Sequence, residues 1–517
     1  MRVAGREIEV GDDREIDLSR RELLQRLETG NDFDVVVLGG GINGACLYDS
    51  LCRRGYRVLL ADKRDFASGT SQSSGMMIWG GLLYLRNLDF ATVFKLSADR
   101  DRIVQEKAQW VRAETMRYLP TAGFGRARWW VQSGLWAYWL IGMARRRAPG
   151  WEKSFSELEL IKPGFVKGAL TYEEAVLDQS DAHFVYRWLA SHHAAGQAAL
   201  NYCDVSGTYN DVDKRWHLDL RDDIAGGEYQ IRAKIVVNCA GVWTDEVNAS
   251  FGISSRYRHV FSKGVYLGIH RAEQHRSPLF FDLGEHEDII SLLPWGPVSL
   301  WGPTETLVQN LSDGACASSD DVDFLLSHYA RRFRQPVGRD DIISVRCGLR
   351  PLVVDHSYQG NDYPLDLSRR VEVLLDAGQP WISCYGGKIT GCTRMAAKAM
   401  KLIEKAVLPS GELSAGDESA SHVPEHMVFP GLSQPVTSVA WAMQHESCCT
   451  LDDYLRRRTN IAQWLPRGGL GENDANASLL KELALQIADG DAIVAEQVFA
   501  DYCKKVKHDF AFLGMVT

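Results

Sequence analysis

Asp34-Val-Val-Val-Leu38, followed at once by Gly39-Gly40-Gly41-Ile42-Asn43-Gly44, is the stretch from which the fold can be read. A continuous apolar run of this length reads as a strand buried on both faces, as in a parallel sheet. The glycines satisfy G-x-G-x-x-G. That pattern asks for a tight turn at Gly39, backbone approach to a pyrophosphate at Gly41, and close helix–strand contact at Gly44. A helical stretch carrying Asn43 runs to about Arg54, and a second apolar strand, Tyr56-Arg-Val-Leu-Leu-Ala61, completes a βαβ unit. The helix offers free N–H groups and the positive end of its dipole to phosphates. Asp62 follows Gly44 by 18 residues, at the end of the second strand, where a carboxylate accepts hydrogen bonds from ribose hydroxyls. A glycine turn with no ligand is the plainer alternative. The motif alone does not separate FAD from NAD.

Working outward, the chain has 517 residues, enough for two or three domains with a packed core. Hydrophobic residues make up 45% and charged residues 24%, which excludes a largely disordered chain. The net charge of −9 comes without a basic block, so nothing electrostatic points to nucleic acid as a partner. Eleven scattered cysteines without C-x-x-C form neither a disulfide framework nor a zinc pattern, and no metal site is expected. The charged N-terminus lacks the apolar core of a signal peptide, so the expected location is cytoplasmic.

Further strands that end in glycine recur late in the chain. Ile235-Val-Val-Asn238 leads to Cys-Ala-Gly241, and Trp381-Ile-Ser-Cys384 leads to Tyr-Gly-Gly-Lys388 with a helix expected from about Thr393 to Ala406. The nucleotide domain is therefore expected to be discontinuous. The fold class is α/β: a Rossmann-like, doubly wound domain interleaved with an α+β substrate or cap domain, plus a C-terminal α-helical domain. The expected boundaries are an N-terminal helical extension over 1–31, capped at Ser19, and nucleotide-domain segments 32–110, 165–250 and 345–408. Residues 111–164 and 251–344 form the cap, 409–435 a linker rich in Pro, Ser, Gly and Glu, and 436–517 a separate helical tail.

Asp65-Phe-Ala-Ser-Gly-Thr-Ser-Gln-Ser-Ser74, then Ile78-Trp-Gly-Gly-Leu-Leu-Tyr-Leu85, resembles the second signature of FAD-dependent glycerol-3-phosphate dehydrogenases, members of the D-amino-acid-oxidase-like flavoprotein superfamily. The resemblance continues in Asn238-Cys-Ala-Gly-Val-Trp243, Lys263-Gly264, Leu293-Pro-Trp295, Gly348-Leu-Arg-Pro-Leu352, Tyr385-Gly-Gly-Lys-Ile-Thr390 and Leu451-Asp-Asp-Tyr-Leu-Arg-Arg-Arg-Thr459, from about residue 20 to 508. It implies FAD as cofactor and hydride transfer from a substrate carbon to flavin N5. The implied FAD contacts are Gly39, Gly41, Asn43, Gly44, Asp62, Val205, Gly241, Gly387, Lys388 and Thr390, with hydroxyls at Ser68, Thr70, Ser71 and Ser74 donating toward the pyrophosphate and flavin. Arg350 and Lys388 would supply positive charge at the flavin face.

The chain departs from that family where substrate is handled. The family pattern is Ser-Lys-Leu-Ile-His-Gly-Gly-Leu-Arg-Tyr-Leu. Here Gly75-Met76 replaces Ser-Lys, Trp79 replaces the His thought to take the substrate proton, and Leu83 replaces a phosphate-binding Arg. Tryptophan cannot act as a base, and a positioned base contributes ~10²–10⁴-fold. The expected catalytic positions are thus Arg350, Lys388 and Trp79, with Leu83, Tyr84, Tyr266 and His356 at the substrate. Tyr266 is either a pocket or a core residue, and His356 is the nearest alternative base in sequence. Asp181 and His183 match a family segment near the substrate. His192-His193 read as a helix end.

Three functions follow. The first is oxidation of glycerol-3-phosphate or a related hydroxy substrate. The second is oxidation of an amine or amino acid, which loses hydride as the neutral amine and whose carboxylate would sit on Arg350 and Lys388. The third is an inactive flavin-binding relative. The electron acceptor, quinone or oxygen, and a homo-oligomeric state stay open. Trp129–Met143 is fifteen residues without charge, too short to span a bilayer at ~20 residues. Its four tryptophans, flanked by Arg126, Arg128 and Arg145–Arg147, suit either an interfacial element on the inner face of the cell membrane or a buried cap.

Overall fold

A computed structural model describes residues 19–121, 127–190, 192, 196–283, 289–311, 316–358, 360, 370–413 and 424–513. Residues 1–18, Arg126, His193, 414–423 and 514–517, on which some of the sequence expectations fall, lie outside these.

The apolar run lies within the strand Asp32–Leu38 at the centre of a sheet that has eight strands among the described residues. Val35 to Val37 are fully buried, as a strand covered on both faces requires. The parallel core runs Trp381–Gly386, Glu228–Asn238, Asp32–Leu38, Val58–Ala61, Gln197–Leu200. Because Leu38 pairs with Asn238, and Asn238 with Ser383, the glycine-bearing ends of three strands arrive side by side. Helices Ile42–Cys52 and Cys392–Ala406 pack against each other beside this sheet. The helix Arg20–Thr29 begins in a full capping box between Ser19 and Glu22.

The second sheet has ten strands among the described residues and is mainly antiparallel. Its longest pair, Tyr257–His270 with Ile342–Asp355, sets Arg350 opposite Ser262. The boundaries read from sequence need correction here. Strand Ala169–Leu177 pairs with Val111–Leu119, and Ile342–Asp355 with Tyr257–His270, so both belong to the second sheet rather than the nucleotide body. Apolar alternation marks a strand but not the sheet that it joins.

The C-terminal region is not a separate tail. Leu451, Tyr454, Leu480 and Tyr502 share one buried cluster with Val265, Phe281 and Trp301 of the second sheet. The chemistry of this junction is ionic: Arg457 and Arg458 both pair with Asp65, all three side chains at most 3% exposed. Burial alone would raise the Asp65 carboxyl, and the two guanidiniums outweigh it, lowering it to about 2. The expected linker also docks in part. Ser410 donates its N–H and its hydroxyl to Asp34, each at 2.8 Å, and His426–Met427 pairs with Val436–Thr437.

Candidate active site

One cavity of about 1040 Å³ runs from the glycine turn into the second sheet. Pockets that bury drug-sized ligands span roughly 300–1,000 Å³, so this one suits a large ligand plus a small one. At its nucleotide end the backbone is shaped for close approach. Gly39 has φ +104°, and a Cβ there would lie 2.7 Å from the Cys239 carbonyl oxygen. A Cβ on Gly44 would lie 1.9 Å from the Gly39 oxygen. Gly44 thus sits behind the turn and does not line the cavity. Gly41 does line it, and a Cβ there would meet only Ser71 Oγ, at 3.3 Å.

Asp62 accepts from the Gly40 N–H at 2.6 Å and the Arg64 N–H at 2.8 Å. Burial raises its carboxyl to about 6 against those two hydrogen bonds. Beside it the Arg64 guanidinium lies 5.0 Å over the Trp243 ring, and Val205 completes the wall. Ser68, Thr70, Ser71 and Ser74 all line the cavity, but their hydroxyls differ. Ser71 Oγ accepts the Ile42 N–H at 3.1 Å and keeps its own proton to donate. Thr70 instead donates to the Leu349 carbonyl at 2.7 Å, so the donor role expected of it is already used. The Ser74 N–H donates to Asp181 at 2.7 Å, and Arg346 donates to the same carboxylate oxygen at 2.7 Å. Asp181 is therefore a support beneath the signature loop rather than a substrate contact. His183 lies 3.4 Å from Glu446, and His192 2.9 Å from Asp49, both away from the cavity lining.

The middle of the cavity is lined by Gly241, Gly387, Lys388 and Thr390. Its far end gathers Trp79, Leu83, Tyr84, Tyr266 and Arg350. Lys388 Nζ donates to the Tyr84 hydroxyl at 2.6 Å and lies 4.4 Å over that ring. The indole N–H of Trp79 donates to the Met77 sulfur at 3.0 Å. Tyr266 is both pocket-lining and buried, and a Cβ on Gly75 would lie 2.6 Å from its hydroxyl oxygen. A serine in place of Gly75, as in the family pattern, would collide with that tyrosine. His356 is exposed and outside the cavity lining. Six residues of extended chain separate it from Arg350, about 20 Å at 3.3 Å each, so nearness in sequence misled.

Sequence reasoning missed Glu305. Its carboxylate accepts from Arg350 Nη1 at 2.9 Å and from the Ser262 hydroxyl, and Arg350 also donates to Ser262 at 3.2 Å. Arg350 is thus not a free cation but half of an ion pair, its side chain 26% exposed and that of Glu305 10%. No local motif announces Glu305. The pairing of Thr306–Val308 with Phe261, Ser262 and Lys263 brings it there.

FAD fits this cradle. Gly241 has φ +61° with nothing among the described residues within 4 Å of a Cβ, leaving its backbone open to a ligand. The buried Asn43 Oδ1 has no hydrogen-bond partner among the described residues, while Asn43 Nδ2 donates to the Gly386 carbonyl at 3.1 Å. Gly41, the Ile42–Cys52 helix start and Ser71 would hold the pyrophosphate, and Asp62 the ribose.

Comparison with known proteins agrees. Residues 34–390 match the family model described as FAD dependent oxidoreductase. An aerobic glycerol-3-phosphate dehydrogenase of Staphylococcus saprophyticus is 30% identical over 75% of this chain and 69% of its own length. A glycerol-3-phosphate dehydrogenase 2 of Mycobacterium bovis is 30% identical over 73% of this chain and 63% of its own. Among solved structures, the FAD complex of glycerol-3-phosphate dehydrogenase from Bacillus halodurans superposes with a TM-score of 0.68 at 18% identity, covering 96% of this chain and 98% of that one. L-alpha-glycerophosphate oxidase from Mycoplasma pneumoniae, with FAD bound, gives 0.55 at 14% identity, over 74% and 98%. With the cradle, the family match and these relatives in agreement, the chain belongs to the FAD-dependent oxidoreductase family and is an FAD-dependent dehydrogenase or oxidase.

Proposed function

We propose that this enzyme oxidises the alcohol carbon of a hydroxy substrate, with Glu305 receiving the hydroxyl proton. The observation that carries this is the Glu305–Arg350–Ser262 cluster in the same cavity as the flavin cradle. Bound FAD supplies the two-electron acceptor. The protein's part is to orient the substrate and hold the proton: Arg350 and Ser262 fix the Glu305 carboxylate, and Lys388 fixes Tyr84. The phenol of Tyr266, pushed up by burial, stays neutral and can donate. Glu305 takes the place of the base lost at Trp79. An amine substrate fits less well, because its carboxylate would have to displace Glu305 from Arg350. The ordered cluster also argues against an inactive relative.

The site is proposed to work at a membrane surface on the inner face of the cell, which favours a quinone as electron acceptor over oxygen. No described helix is long and apolar enough to cross a membrane. In helix Arg128–Ile141, Leu135 and Tyr138 are buried while Trp129, Trp130 and Trp136 are 68%, 59% and 40% exposed, so one face is a cap and the other an interfacial surface. Arg145 and Arg147 are exposed beside it, whereas Arg146 is buried against Asp101 at 3.0 Å and is not available to lipid.

Anaerobic flavin bleaching by hydroxy substrates tests the chemistry. Glu305→Gln should slow it ~10²–10⁴-fold at unchanged flavin content. Equal rates for wild type and variant would remove Glu305 from the reaction.

A further inference from the structure

The cavity that holds Glu305 and Arg350 also holds Trp79, Leu83, Phe280, Leu283, Ile289 and Phe324. Trp79 and Phe280 meet edge to face at 5.8 Å, and Phe280 is 2% exposed with Tyr172 behind it at 6.3 Å, so this apolar wall is rooted in the core. The Trp79 indole N–H is spent on the Met77 sulfur. Arg350 is engaged by Glu305 and Lys388 by Tyr84, while the exposed Arg86 also borders the cavity beside Tyr84. A phosphate dianion that used Arg350 would have to displace Glu305 from it, and against the apolar wall it would lose its hydration without a charge-assisted contact, which is unfavourable. At the same end, Leu83 is 38% exposed. Its segment Leu82–Asn87 packs on the helices Phe90–Glu106 and Arg128–Ile141, whose Phe90, Phe94 and Trp129 are more than half exposed.

We infer that the substrate is an amphipathic secondary alcohol whose arm beside the reacting carbon is hydrocarbon or aryl in place of phosphate, reaching the site past Leu83. The inference rests on the proposed alcohol oxidation. In that step the C–H bond breaks with its electron pair passing as hydride to FAD. The O–H proton goes to Glu305 and the C=O bond of a ketone forms; a quinone or oxygen later reoxidises the flavin.

The test uses the holoenzyme with alkan-2-ols of increasing length, glycerol and glycerol-3-phosphate. Binding is read by calorimetry and turnover by anaerobic bleaching. Each added methylene should tighten binding about fourfold (about 0.8 kcal/mol), with a negative heat-capacity change. Phe280→Ala should flatten that dependence, and Leu83→Ser, at an exposed position that leaves folding intact, should weaken it. Affinity independent of chain length, or glycerol-3-phosphate bound more tightly than every alkanol, would overturn the inference. Length-dependent binding without bleaching by any alcohol would support the apolar arm and overturn alcohol oxidation instead.

Discussion

At the nucleotide end of the cavity the chain meets its ligand with backbone: Gly39, Gly41 and Gly241 bare their main chain, and the Ile42–Cys52 helix turns the positive end of its dipole there. At the substrate end it does so with side chains, Glu305, Arg350, Trp79 and Phe280, drawn from strands and loops up to 271 positions apart (350 − 79). Backbone chemistry tolerates no added atom but barely depends on what surrounds it. Side-chain chemistry can be rewritten one residue at a time while the fold stays put. Relatives named for glycerol-3-phosphate can therefore share the first end and differ at the second.

The largest effect separates two glycines three residues apart. Gly44→Val would put a methyne carbon 1.9 Å from the Gly39 oxygen, with only backbone to yield, so the protein should fail to accumulate in soluble form. Gly41→Val meets only Ser71 Oγ at 3.3 Å, so the protein should fold, but its flavin content should fall to near zero. Full flavin in purified Gly41→Val would dismiss the backbone account of the pyrophosphate site.

Next in size is the clamp behind the signature loop. Asp65→Asn takes from the buried Arg458 the carboxylate it pairs with, while Arg457 keeps Asp452 and Asp453, and breaking a buried pair costs about 3–5 kcal/mol. The urea midpoint should drop accordingly, with slope unchanged. A midpoint within error of wild type would mean that the arginines are satisfied without Asp65.

What could be read in the sequence follows the same division. The βαβ unit and Asp62 are contiguous, so local spacing placed them, and the serine run follows in the stretch that carries the family resemblance. The Asp65 clamp was not legible, because Arg457 and Arg458 lie nearly 400 residues later (458 − 65 = 393). Glu305 was missed for the same reason, and His356 was chosen only because it follows Arg350. The family resemblance pointed to Lys388 and Arg350, but not to the partners that neutralise or hold them. Those come from strand pairing, which no short pattern records.

A smaller effect joins the two ends. His259, on the second sheet, accepts the Gly386 N–H on Nε2 at 3.0 Å, just before the Gly387-Lys388 turn. Burial lowers the imidazole to about 4. The unfolded chain takes up a proton at its ordinary 6.5, so this contribution is full above about pH 6.5 and is lost as the pH falls toward 4. Its size is about 3 kcal/mol. A histidinium could not accept from Gly386, so the bond itself breaks. His275 and His328, also lowered to about 4 chiefly by burial, add acid loss in the same direction. His259→Gln keeps an acceptor for Gly386 without a titrating proton. It should remove one proton's worth of the pH slope between 6.5 and 4 in urea titrations, and an unchanged slope would exclude His259.

The smallest effect asks whether the substrate end can be returned toward the pattern of its relatives. Leu83→Arg restores the one cation that the family signature places there, on a short segment whose side chain is 38% exposed and already lines the cavity. A new charge-assisted contact to phosphate is worth about 1.5–3 kcal/mol when shielded from water. Partial exposure and salt bring this position to the lower end, roughly a tenfold gain in glycerol-3-phosphate affinity. Because Leu83 carries no proton in the reaction, the limiting bleaching rate should stay where it is while the half-saturating concentration falls. Trp79→His alone should do the reverse, changing the rate through a second base and leaving affinity nearly constant. Stopped-flow bleaching against glycerol-3-phosphate concentration resolves the two quantities. If Leu83→Arg leaves both untouched, the arm of the bound substrate does not pass this residue.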